Sequence, residues 1–154
     1  MLHLTLESRE YLNQAVDGLR EAGQQQYLPP GLFARATLYR HQKDFLQSWA
    51  DLDEAREIAE YGQMRLHLTD YHLEACRLIN DQLSIINLSC EVNVARMNSD
   101  QIIENGETLS LTREHMQAKF LVQFKEAERL IEETGYHRRD GELEELRMTA
   151  QTPA

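Results

Sequence analysis

The chain has 154 residues, 42% hydrophobic and 27% charged, the length and balance of a single soluble domain with a real core. Sixteen basic against 26 acidic residues give a formal net charge of −10, which argues against direct DNA or RNA binding, since that calls for a basic face. No run of about 18 apolar residues exists to span a membrane, and MLHLTLESRE lacks the basic-then-apolar pattern of a secretory leader.

Only 7 glycines and 3 prolines favour long helices over a turn-rich β architecture. Leu12, Ala15, Val16 and Leu19 recur at helical spacing and predict a helix over 5–22, with Thr5 or Ser8 as cap and Gly23 as a left-handed stop. After QQQYLPP, where the prolines suit a helix entry, a second helix is expected over 31–42. Asp44 then caps a helix over 45–61, built on Phe45, Trp49, Leu52, Ala55, Ile58 and Ala59 and ended by Gly62. A further helix covers 64–80, and Leu83, Ile85, Ile86 and Leu88 either extend it or form a separate one. Asn98-Ser99-Asp100 and Glu104-Asn105-Gly106 carry turn chemistry. Thr112 caps a strong helix over 112–133 that Gly135 ends, Asp140 caps a short last helix carrying Leu143 and Leu146, and the tail from Met148 is expected to fray.

An internal period runs through these elements. Gly23 and Gly62 are each followed by Gln and each precede an alanine, Ala36 or Ala75, by 13 residues. At this offset of 39 residues Val16 meets Ala55, Leu19 meets Ile58, Leu32 meets Tyr71 and Tyr39 meets Leu78. FKEAERLIEETG compares with LDEAREIAEYG and places Ala127 72 residues after Ala55, so that about 33 residues, 81–113, read as an insertion. Ala36, Ala55, Ala75 and Ala127 stand mid-helix among large residues, as close helix crossings require.

The spacing of Leu32, Ala36, Tyr39, Ser48, Leu52 and Ala55 resembles the tetratricopeptide signature, and Lys43-Asp44-Phe45 looks like its Gly-Asp-Tyr turn. The chain departs from that pattern at Leu32, Lys43 and Ser48, where an aromatic, a Gly and an Ala are usual. DLDEAREIAEYGQMRLHLTDYHLEACRL and AERLIEETGYHRRDGELEEL look like the final repeats of bacterial tetratricopeptide arrays, which commonly sit C-terminal to signalling NTPase or other effector domains. The resemblance covers 12–80 and 116–146. It implies an all-α domain over 1–150 of antiparallel helical hairpins stacked as a short right-handed superhelix. Within it, 5–23 is half a hairpin, 29–62 one repeat, 64–80 with 114–135 a second repeat split by 81–113, and 140–149 a capping helix. The family's groove is lined by the first helix of each hairpin. Carried over by position, its residues are Phe33, Thr37, Arg40 and His41, then His72, Cys76, Ile79 and Asn80.

Other candidate chemistry is sparse. His72 and Cys76 are an i, i+4 pair of the kind that holds metals, with His67, Asp70 and Glu74 nearby, but a His-Glu-x-x-His motif is absent and structural or groove roles weigh more. Arg138-Arg139 suits an acidic partner or phosphate, or a salt-bridged turn before Glu142, Glu144 and Glu145. Asp51, Asp53, Glu54, Glu57 and Glu60 read as one solvated helix face, and Trp49 as at least partly buried. Phosphate loops and nucleophile elbows are missing, and the two cysteines, Cys76 and Cys90, make no disulfide framework, so a reduced, cytoplasmic setting is the default. The expected function is a non-enzymatic scaffold without cofactor or metal that binds a peptide or partner protein, and neither nucleic acid nor membrane. The alternatives are a self-associating regulatory or oligomerisation domain of a larger bacterial signalling protein, a homo-oligomer in which 81–113 makes the intersubunit contact, or else an all-α metal-dependent enzyme using His67, His72, Cys76 and nearby acids.

Overall fold

A computed structural model describes the backbone of residues 2–91, 101–104, 107–110 and 113–151, and the side chains of 7–85 and 114–149. The fold is all-α, with one short β-hairpin among the described residues. Helix α1 (Leu2–Glu21) stops where expected. Gly23 takes φ +65°, Gly23 N donates to Arg20 O (3.0 Å), and Gln24 N donates to Leu19 O (3.1 Å). This left-handed cap serves carbonyls that the helix leaves unpaired. A 3-10 turn (Gln25–Tyr27) leads into α2 (Leu28–His41), which begins earlier than expected because both prolines are absorbed into its first turn.

Lys43 makes the next turn with φ +63°, a conformation that costs a side-chain-bearing residue about 1–2 kcal/mol. Asp44 then caps α3 (Phe45–Tyr61), its carboxylate accepting from Gln47 N at 3.4 Å. Gly62 does precede the stop, but the left-handed residue is Gln63 (φ +53°), while Gly62 keeps φ −82°. A Cβ at residue 62 would lie 2.7 Å from Met64 Cε, the movable end of that side chain, and 3.2 Å from Ile58 O, so a side chain there requires only a local shift.

Helix α4 (Arg65–Glu91) runs for 27 residues, so Leu83 and Ile85 extend the helix before them. Strands β1 (Gln101–Glu104) and β2 (Glu107–Ser110) pair antiparallel with Glu104 opposite Glu107. The expected turn residues Asn98-Ser99-Asp100 and Asn105-Gly106, and the Thr112 cap, lie outside the described residues. Helix α5 (Arg113–Thr134) closes at Gly135 (φ +69°), a second 3-10 turn (His137–Arg139) follows, and α6 (Asp140–Gln151) continues through most of the tail expected to fray.

Each helix packs on its successor up to α5, and α6 lies on both α4 and α5. The core is accordingly drawn out along the stack. Val16, Leu28, Leu32 and Ala55 form one cluster, and Ala36, Leu52, Tyr71, Ala75 and Leu78 the next. A third cluster joins α4, α5 and α6 through Leu73, Ile79, Met116, Phe120, Ala127, Leu143 and Leu146. Trp49 bridges the last two, half-buried, with Nε1 donating to Gln82 Oε1 at 3.3 Å. Small residues set the crossings: Ser48, fully buried, donates its hydroxyl to Ala36 O of α2 at 2.8 Å.

The acidic run of α3 corrects the sequence reading. Asp53, Glu57 and Glu60 are exposed, but Asp51 is only 5% exposed. It accepts two hydrogen bonds from buried Arg35, from Nε and Nη2, each at 2.7 Å, and Arg35 also donates to Asn13 of α1 at 3.2 Å. A carboxylate with a matched guanidinium tolerates burial, where an unpaired one is excluded.

Candidate functional site

A cleft of about 290 Å³ opens along the first helix of each pair. Helix α2 lines it with Pro30, Phe33, Ala34 and Thr37, and α4 with Asp70, Leu73, Glu74 and Arg77. Arg139, at the end of the 3-10 turn before α6, and Glu142, in the first turn of α6, complete the wall. Counted from the left-handed residue that closes the preceding helix, Gly23 or Gln63, the lining positions are the seventh, tenth, eleventh and fourteenth in both α2 and α4. Glu142 is likewise the seventh after Gly135. The spatial period therefore exceeds the 39 residues between Gly23 and Gly62 by one, because the turn residue is Gln63.

One residue turns a helical face by about 100°. That slip explains where the sequence-derived groove residues lie. Phe33 and Thr37 line the cleft. Arg40 is nearly buried beside it, with Nε donating to Glu74 Oε1 (2.8 Å) and Nη1 to Asp81 Oδ2 (3.0 Å), and His41 is exposed at the end of α2. On α4 the expected positions point elsewhere. His72 Nδ1 lies 2.6 Å from Gln123 Oε1 of α5, an acceptor that fixes the proton on Nδ1. Burial pulls the His72 pKa down, and the Gln123 bond offsets this only in part. Cys76 and Ile79 are 0% exposed in the core and have no surface to offer a partner. Asn80 Nδ2 donates to Thr149 Oγ1 of α6 at 3.1 Å. The face that α4 turns to the cleft carries Arg77, with Leu73, itself only 1% exposed, beneath it, in place of His72 and Cys76. Asp70, Glu74 and Arg77 at i, i+4 and i+7 were the overlooked sequence signal, a charged stripe on one helical face.

The i, i+4 pair His72 and Cys76 does not converge, since the imidazole turns to Gln123 and the thiol lies 3.9 Å from Phe120 O. Burial pushes the Cys76 thiol up to about 12, away from the thiolate that metals and electrophiles require. Among the described residues, no three His, Cys, Asp or Glu side chains form a metal-holding group, and no helix is long and apolar enough to cross a membrane.

The cleft wall is an alternating chain of charges. Arg139 holds Asp70 at 2.8 Å and bonds Glu142, Glu142 also takes Arg77, and Arg77 bonds Glu74 at 3.1 Å. Thr37 Oγ1 stands 3.0 Å from Glu74 Oε1 and 2.9 Å from Phe33 O, so its proton serves one of them at a time. Burial pushes Glu142 upward, but hydrogen bonds from Arg77 and Arg139 outweigh it and hold the carboxyl below its ordinary range. Burial likewise acts to lower Arg77, and the bonds and charges of Glu142 and Glu74 overcome it. The cleft thus pairs an apolar patch, Pro30, Phe33 and Ala34 above the buried Leu73, with fixed charges of both signs. Such a surface can seat an apolar side chain and orient the polar groups around it. Compared with protein-family models, curated proteins and solved structures, the chain matches none.

Proposed function

We propose that this chain is a tetratricopeptide-like scaffold, a short right-handed stack of helical hairpins that binds a peptide or partner protein in the α2–α4–α6 cleft. It acts in a reduced, cytoplasmic setting, as part of a bacterial signalling assembly, and performs no catalysis of its own. The observation that carries this reading is the recurrence of the same four lining positions in α2 and α4, with Glu142 of α6 continuing the series. Left-handed turns at Gly23, Lys43, Gln63 and Gly135, and small residues at the crossings, support the same architecture. Phe33 serves as the apolar anchor and Arg77 as the orienting charge.

The test is affinity capture from extract with the wild-type chain, Phe33→Ala, Arg77→Ala and the outer-face variant Leu121→Ala, followed by titration of the recovered protein. A partner that loses about tenfold or more in affinity with each cleft variant, and little with Leu121→Ala, supports the reading. A partner indifferent to both cleft variants sinks it. A second reading, self-association, draws on Leu121 and Val122, adjacent on α5 and 52% and 66% exposed. A sedimentation mass that is monomeric at all concentrations excludes it.

A further inference from the structure

Helix α6 is held differently from the helices beneath it. It buries Leu143 and Leu146 against α4 and α5, and much else that fastens it is polar. Glu142 bonds Arg77, Asn80 bonds Thr149, and Arg147 bonds Glu128 at 2.7 Å. A helix of 12 residues has little stability of its own, so α6 is helical because it is seated. Helix α6 supplies Glu142 to the cleft wall, and the 3-10 turn that leads into it, moving with it, supplies Arg139.

We propose that α6 is a latched wall of the cleft: it leaves its seat as a unit while α1–α5 stay folded, and the chain Asp70–Arg139–Glu142–Arg77 is the latch. The four latch side chains are 18–30% exposed, so water and salt reach them and weaken the hold. Opening withdraws Arg139 and Glu142 from the cleft, frees Arg77 of one of its two carboxylates, and uncovers Leu73, Cys76 and Ile79, which share a cluster with Leu143 and Leu146. A molecule that touches both α4 and α6 holds the wall shut to the extent that it prefers the closed state. The latch goes beyond the partner-binding reading and is tested with no partner present.

The experiment is hydrogen exchange with mass-spectrometric readout on the whole chain. In the wild type, α6 amides exchange at least about tenfold faster than those of α3 and of residues 65–80 in α4. Glu142→Gln speeds α6 about tenfold further and leaves α3 unchanged, whereas Glu128→Gln, which breaks a more exposed pair, changes α6 less than about threefold. Raising NaCl from about 0.05 M to about 1 M speeds α6 more in the wild type than in Glu142→Gln, which has lost the Glu142 charge and retains the Asp70–Arg139 and Arg147–Glu128 pairs for salt to weaken. A common exchange rate for α6 and α4 in the wild type overturns the proposal. So does equal acceleration of α3 and α6 by Glu142→Gln, or an effect of Glu142→Gln no larger than that of Glu128→Gln.

Discussion

Two arginine–carboxylate groups divide the molecule by how wet they are. At the first crossing, Arg35 and Asp51 have side chains only 11% and 7% exposed. At the cleft, Arg77 and Glu142 are 29% and 28% exposed and share their charges with Arg139, Asp70 and Glu74. Burial makes the first pair obligatory, since either partner alone is an uncompensated charge in the core. Partial exposure makes the contacts among Asp70, Arg139, Glu142 and Arg77 exchangeable, because water or a ligand can replace any one of them, whereas Glu74, its side chain 8% exposed, is as dry as Asp51. The dry pair therefore belongs to folding, and the wet chain is the group that the proposed reading assigns to recognition, although both use the same side-chain chemistry.

The largest expected effect follows from the dry pair. Asp51→Ala leaves Arg35 buried without its carboxylate and should cost about 3–5 kcal/mol in urea unfolding. A loss under 1 kcal/mol breaks the contrast. Ala55→Leu should cost about 1–3 kcal/mol by overpacking the fully buried crossing beside Val16 and Leu32.

Acid sharpens the contrast at the wet end. Glu142 is held below its ordinary pKa in the folded chain, so its contribution is present in full above the unfolded value near 4.5 and is lost as pH falls through the folded value. The stability difference between wild type and Glu142→Gln should thus be level from about pH 6 upward and shrink below about pH 4.5. A difference that grows on acidification contradicts the assigned sign. The smallest expected effect is at the turn. Lys43→Gly relieves a left-handed lysine and should stabilise by roughly 0.5–1 kcal/mol, offset in part by the loss of a 3.8 Å contact to Asp81. Unchanged stability means that this contact, or the backbone freedom of glycine, cancels the relief.

Local signals made much of the fold legible. Helix α3 runs over 45–61 as its cap and apolar spacing require, and Gly23 and Gly135 are left-handed stops because each ends a periodic run. The cleft was half legible. Phe33 and Thr37 follow from the face of α2, but Gln63 rather than Gly62 makes the left-handed turn, so an alignment on glycines slips α4 by one residue. That slip exchanged Leu73 and Arg77, which line the cleft, for His72 and Cys76, which do not. Asp51 was hidden for another reason. Its partner Arg35 lies 16 residues away on another helix, and nothing local separates it from its solvated neighbours Asp53 and Glu57. Arg139 and Glu142 join the cleft only through the placement of α6, a tertiary fact that helical spacing does not encode.

On the proposed reading, matched positions of α2 and α4 form one recognition face. Site-specific photocrosslinking in cells tests it most directly, with benzoylphenylalanine placed singly at Ala34 and Arg77 in the cleft, at His72 facing α5, and at Leu121 on the outer side of α5. Positions 34 and 77 should give one shared covalent adduct, and positions 72 and 121 none. Adducts from 72 or 121, with none from the two cleft positions, would contradict that reading.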